Sequence, residues 1–167
     1  HYVAAVIEDN TGIQTEFIGT GAGSTKFIPT KNQSADYELG YPDVHLLGTN
    51  VYVEITGQLE PQWLERVRPL GLWFRPDKFD SVINHPDQER WFCHCIQVHS
   101  KSTPVYYWLR FILVDRKMLF NYYNHKFKSI TIDTKQMKNE HFLEIPATYD
   151  GIVSQWEFID KINRKVA

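Results

Sequence analysis

Two long apolar runs occupy the middle of the chain. Trp91 to His99 and Val105 to Val114 are nearly continuous in apolar residues and are separated by the polar stretch Ser100 to Pro104, the pattern of strands covered on both faces at the centre of a sheet. Upstream, Val44 to Leu47, the turn Gly48-Thr49-Asn50 and the β-branched run Val51 to Thr56, ended by Gly57, predict a β-hairpin. Pro61 to Arg68 predicts one or two helical turns. A helix is predicted from Pro76, where proline suits the first turn, to Asn84, with His85-Pro86-Asp87 stopping it.

The flanks are less regular. Tyr2 to Ile7 reads as a strand, Asn10-Thr11-Gly12 as a turn, and Thr15 to Ile18 as a second strand pairing back on the first. After the turn Asp115-Arg116-Lys117, short strands are expected at Met118 to Tyr122, Ser129 to Ile132 and Phe142 to Ile145. Ile152, Val153, Trp156, Phe158, Ile159 and Ile162 follow helical spacing from a start near Tyr149-Asp150, so a C-terminal helix should close the fold. The 167 residues therefore divide into a turn-rich segment over 1–34, a core over 41–114, and a sheet extension with C-terminal helix over 115–167, all in one domain.

Composition changes this picture little: 43% hydrophobic and 14% aromatic residues describe an ordinary globular chain without low-complexity tracts. It begins at His1 rather than Met, which leaves room for residues upstream. No apolar run approaches a membrane span, and Cys93 and Cys95 read as two small buried side chains in a reducing, intracellular setting. A formal net charge of −2 does not announce a polyanion binder, but between Lys101 and Lys138 eight basic residues stand against two acidic ones. That basic stretch suits a phosphate-tracking surface as well as it suits a solvated sheet face, and exposed tyrosines near Lys126 and Lys128 are candidates for stacking on unpaired bases.

Candidate chemistry is concentrated in the hairpin. Asp43, after Pro42, opens its first strand, and Glu54 stands eleven residues on, inside the apolar second strand, where a carboxylate is expensive unless paired or liganded. Antiparallel pairing counted back from the turn brings the two together. Converging carboxylates repel, and a hard cation such as Mg²⁺ or Mn²⁺ both neutralises them and leaves coordination positions for a phosphate and a water. The bland alternative is that Asp43 flanks a turn and Glu54 faces solvent. The glycine-rich run Gly19 to Lys26 lacks the Gly-Lys-Ser/Thr order of a phosphate loop, the histidines show no paired ligand spacing, and no nucleophile elbow or Cys/His dyad is present.

Pro42-Asp43, the eleven-residue step and Glu54-Ile55-Thr56 in a β-branched strand resemble the PD-(D/E)XK nuclease superfamily, which includes restriction enzymes, Holliday junction resolvases and repair nucleases. The resemblance covers mainly residues 41–57, supported by the order hairpin, helix, further strands. It implies a restriction-endonuclease-like α/β fold, a mixed central sheet flanked by helices, and metal-dependent DNA cleavage. By resemblance Asp43, Glu54 and the Ile55 carbonyl would hold the metal, with Asp36 a further acid. Thr56 stands where the family usually has lysine and cannot supply its charge. Lys78, on the helix after the hairpin, is the candidate replacement, Lys26 a weaker one, and Arg75, Lys126 and Lys128 are candidate DNA contacts. Nucleases cutting both strands often dimerise, so a homodimer is allowed for. If no lysine reaches the acids, a non-catalytic nucleic-acid or protein-binding module with the same fold is the better reading.

Overall fold

A computed structural model describes residues 1–19, 40–99, 101, 104–132 and 139–166. Its elements follow the order α1 (Tyr2–Thr11), β1 (Thr15–Phe17), β2 (Val44–Leu46), β3 (Val51–Trp63), α2 (Leu64–Val67), β4 (Leu72–Phe74), α3 (Pro76–Asn84), β5 (Glu89–His99), β6 (Tyr106–Leu113), α4 (Arg116–Tyr123), β7 (Lys128–Ile132), β8 (Glu140–Ile145), β9 (Ile152–Ser154) and α5 (Gln155–Val166). Six strands form a mixed sheet in the order β1-β2-β3-β5-β6-β9, and β4-β8-β7 form a smaller antiparallel one. Within the large sheet β3 and β5 pair in parallel, joined by the crossover through α2, β4 and α3; its other ladders are antiparallel.

Strand alternation decides what lies on each face of the large sheet. Val44, Leu46, Val51, Val53, Trp91, Cys93, Leu109 and Phe111 point to one side and pack against Val3 and Ile7 of α1 and Phe158, Ile159 and Ile162 of α5. Phe158 stacks on Phe111 at 4.1 Å and meets Trp91 edge-on at 5.0 Å, which locks α5 to the sheet. Phe92 and Ile112 point the other way, into a second core with Leu72, Phe74, Phe79, Met118 and Ile145, so α3, α4 and the small sheet cover the opposite face. The result is an α/β architecture with a central mixed sheet, helices on both sides and a C-terminal helix. No described helix is long and apolar enough to cross a membrane.

Several expectations are corrected. Tyr2–Thr11 is a helix, not a strand: Val3, Ala4 and Ile7 recur at helical spacing and are its buried face, and Gly12 ends it in the left-handed conformation. β1 consequently pairs with β2 rather than with residues 2–7. Gly57 does not end β3. A methyl group there would lie 1.6 Å from the Cys95 carbonyl oxygen, so the glycine is what lets β3 lie against β5 and run on to Trp63, with a register shift between Gln58 and Gln62. Met118–Tyr122 lies inside α4 because Asp115 caps the segment, its carboxylate accepting from the Met118 N–H at 2.8 Å. Ile152 and Val153 belong to the edge strand β9, and α5 begins at Gln155 with Trp156 59% exposed. The helix Pro76–Asn84 and both long apolar strands stand where the sequence puts them.

Candidate active site

The hairpin β2–β3 pairs Val44 with Val53 and His45 with Tyr52, and one more step of that register sets Asp43 level with Glu54. The Asp43 backbone N–H donates to the Val53 carbonyl at 3.1 Å, and the Ile55 N–H donates to Asp43 Oδ2 at 2.8 Å, so the carboxylate is oriented by the strand that carries its partner. Because Val51, Val53 and Ile55 turn to the α1/α5 side, Tyr52, Glu54 and Thr56 turn to the α3 side. Glu54 is only 9% exposed.

From α3, Lys78 reaches across. Its Nζ donates to Glu54 Oε2 at 2.8 Å and to the Tyr41 carbonyl at 3.0 Å. The approach depends on Gly40, whose φ of 81° is in the left-handed region and whose α-carbon lies so near α3 that a methyl group there would sit 2.1 Å from the Asp77 carbonyl oxygen. Thus the segment leading into Asp43 is held against the first turn of the helix that supplies the lysine. Arg75, just ahead of that helix, donates to both oxygens of Asp77 at 2.9 and 2.6 Å.

Among the described residues Asp43, Glu54 and Asp77 face Lys78 and Arg75, so these groups balance without a further cation only when one carboxyl keeps its proton. Burial, then the neighbouring Asp43 charge, push the Glu54 carboxyl up to about 8 despite Lys78. Asp43 is raised too, chiefly by burial, against the pull of Lys78 and the Ile55 N–H. Asp43 Oδ1 and Glu54 Oε1 have no hydrogen-bond partner among the described residues. Two adjacent carboxyls that resist ionising together are hard oxygen donors a cation would let ionise, and they fit Mg²⁺ or Mn²⁺, which bind through one or two carboxylates and otherwise keep water. They do not make an all-protein cage: among the described residues no three His, Cys, Asp or Glu side chains converge as metal ligands.

The remaining candidates fall in different places. Ile55 packs toward the α1/α5 core while its amide serves Asp43. Thr56 lies two residues beyond Glu54 on the same face and pairs with His94 across β5. Lys126 and Lys128 are exposed, after α4 and at the start of β7, and make no contact with the acid pair. Asp36, Glu38 and Lys26 lie outside the described residues.

Two further polar groups on this face carry no sequence motif. His94 Nδ1 contacts Arg110 Nη2 at 2.5 Å, and Arg110 Nη1 donates to the Leu70 carbonyl at 3.1 Å. Burial, with Arg110 beside it, pushes His94 down to about 3, and burial lowers Arg110 to about 10. Arg90 lies between the rings of Tyr41 and Tyr52, at 5.4 and 5.2 Å. A charged residue interrupting an apolar strand, the signal that marks Glu54, marks Arg90 and Arg110 as well. Comparison of the chain with protein families, with curated proteins and with solved structures finds no match.

Proposed function

We propose that the protein is a divalent-metal-dependent nuclease that hydrolyses DNA phosphodiesters at the Asp43–Glu54 pair. The observation that carries this reading is Lys78 at 2.8 Å from a buried mid-strand glutamate lying opposite an aspartate. Thr56 leaves the family's usual lysine position without a charge, and an ammonium from α3 stands beside the same carboxylates instead. Further support comes from the order of elements, a hairpin followed by a helix and a strand parallel to β3 in a mixed sheet flanked by helices. A helix also precedes the hairpin, where the family often has one.

Asp43 and Glu54 would hold the metal, which supplies a Lewis acid for the phosphoryl oxygens and lowers the pKa of water at the site. The chain's own residues do the positioning. The Ile55 N–H fixes the Asp43 carboxylate, and the Tyr41 carbonyl fixes the Lys78 ammonium against Glu54 Oε2. A phosphate drawn to this corner meets Lys78, whose charge strengthens its hold as negative charge grows on the phosphoryl oxygens. The partly buried setting magnifies that difference.

The test is cleavage of linear, supercoiled and branched DNA with Mg²⁺ or Mn²⁺. Asp43→Ala and Glu54→Ala should abolish cutting while DNA binding persists, and Lys78→Met should slow it by about 10²–10³-fold. A wild type that cuts nothing and binds metal no better than the two alanine variants would exclude catalysis in favour of a binding module.

A further inference from the structure

Helix α4 turns two of its three aromatic residues to solvent. Met118 is fully buried in the second core, and Leu119 and Tyr122 pack against it. Phe120 is 63% and Tyr123 57% exposed, three residues apart and therefore neighbours on one helix face, with Arg116 one turn before Phe120. A solvated helix face ordinarily carries charged or small polar residues. Here two large rings occupy it and neither is part of the core, Tyr123 meeting the ring of Tyr122 at 5.6 Å from outside.

Basic residues stand before and after the rings along the chain. Arg116 is exposed on the first turn. Past the helix, His125 turns the chain with φ 51°, and the Lys126 N–H donates back to the Asn121 carbonyl at 2.9 Å, which brings Lys126 alongside the last turn. Lys128 follows at the start of β7, 77% exposed and 3.8 Å from Glu144. Arg116 and Lys126 form no ion pair among the described residues. Of the nearby acids, Asp115 is committed to the helix cap and Asp150 to Lys117.

This face is also tied to the catalytic corner. Tyr122 donates from its hydroxyl to Asp80 Oδ1 at 2.8 Å and stacks on Phe79 at 4.7 Å, so α4 is docked on the helix that presents Lys78. Both lie on the same side of the large sheet.

We infer that the Arg116–Phe120–Tyr123 face, with Lys126 and Lys128, binds unpaired nucleotides: bases stack on the two rings and the cations follow the phosphates. Every base has a stacking face, so such a surface takes a single strand without reading its sequence, whereas a duplex hides its bases from the rings. The inference rests on the nuclease reading for its place in catalysis and gives that reading a substrate with a single-stranded segment. Its binding chemistry stands independently.

The test is fluorescence anisotropy in the non-cutting Glu54→Gln protein without divalent metal, using labelled oligo(dT) and a duplex of the same length. Phe120→Ala/Tyr123→Ala should weaken oligo(dT) by about tenfold or more with the melting temperature preserved, and should barely change duplex binding. Arg116→Ala/Lys126→Ala/Lys128→Ala should lower the slope of log affinity against log salt by roughly 0.7 for each phosphate that is no longer neutralised. Unchanged oligo(dT) affinity in the aromatic double variant overturns the inference, as does an equal weakening on duplex. So does a wild-type dimer, measured by light scattering, that this variant dissociates, because the rings would then serve self-association. A protein that binds single strands through this face yet cuts no DNA with Mg²⁺ would remove the nuclease reading and leave this surface standing; cutting with unchanged affinity would do the reverse.

Discussion

Glu54 takes a strand position at which Val, Ile or Phe would be ordinary, and the consequence shows in its protonation. With burial and Asp43 raising it to about 8 from the usual 4.5, the folded metal-free protein holds a proton through that window which the unfolded chain has released. The contribution of Glu54 to stability without metal should therefore fall as pH rises from about 4.5 to about 8, by roughly 2–5 kcal/mol. His94 works in the opposite sense. Held neutral down to about 3 against an ordinary 6.5, it makes stability rise with pH across that lower range. Urea titrations of the metal-free protein at pH 4, 6.5 and 9 separate the two: the contributions oppose each other between about pH 4.5 and 6.5, so Glu54→Gln should remove the decline above pH 6.5 and leave a steeper rise between pH 4 and 6.5. A decline that persists in the variant would locate its origin elsewhere. Mg²⁺, by stabilising the ionised carboxylate, should reduce the same decline in the wild type.

At the scale of elements, α3 and α4 show what pattern reading reaches and where it stops. The start of α3 is legible because Pro76 and the stop at His85-Pro86 are local signals that tertiary contacts do not override. The α4 segment reads as a strand because Met118, Leu119, Phe120, Tyr122 and Tyr123 make a short apolar run, and so short a run does not distinguish the two periods. The cap decides it. Asp115→Ala, which removes the acceptor for the Met118 N–H, should cost about 1 kcal/mol in chemical denaturation, with fluorescence of the α4 tyrosines reporting the loss. The same local limit hides α1. Its buried residues Val3, Ala4 and Ile7 fit a helix as well as Tyr2 to Ile7 fits a strand, until Phe158 and Ile162 of α5 supply a surface for one helical stripe.

For the whole molecule, the large sheet is the partition on which everything hangs: α1 and α5 on one side, α3, α4 and the small sheet with the acid pair on the other. Phe158 is the largest side chain joining α5 to that partition and is fully buried between Trp91 and Phe111. Phe158→Ala should destabilise the protein by about 3–5 kcal/mol in a urea midpoint experiment. Lys78 should still contact Glu54 in whatever fraction stays folded, since its supports lie on the far face. Cleavage per folded molecule that falls along with stability would show that the two faces are coupled.

The central strands, the hairpin, α3 and the convergence of Asp43 with Glu54 were determined by the sequence alone, because hydrophobic period, turn residues and strand register act over a few residues and carry their own geometry. Other features were decided only by tertiary structure. Lys78 is twenty-four residues from Glu54, and its contact exists because β3 and β5 run parallel and the crossover lays α3 over the acids. Gly57 reads as a strand end until the Cys95 carbonyl occupies the space a side chain would need. In the same way, the rings of α4 become a surface only when the core takes Met118 and leaves Phe120 and Tyr123 outside. Each turns on which distant segment fills the space beside a residue, and local spacing does not contain that information.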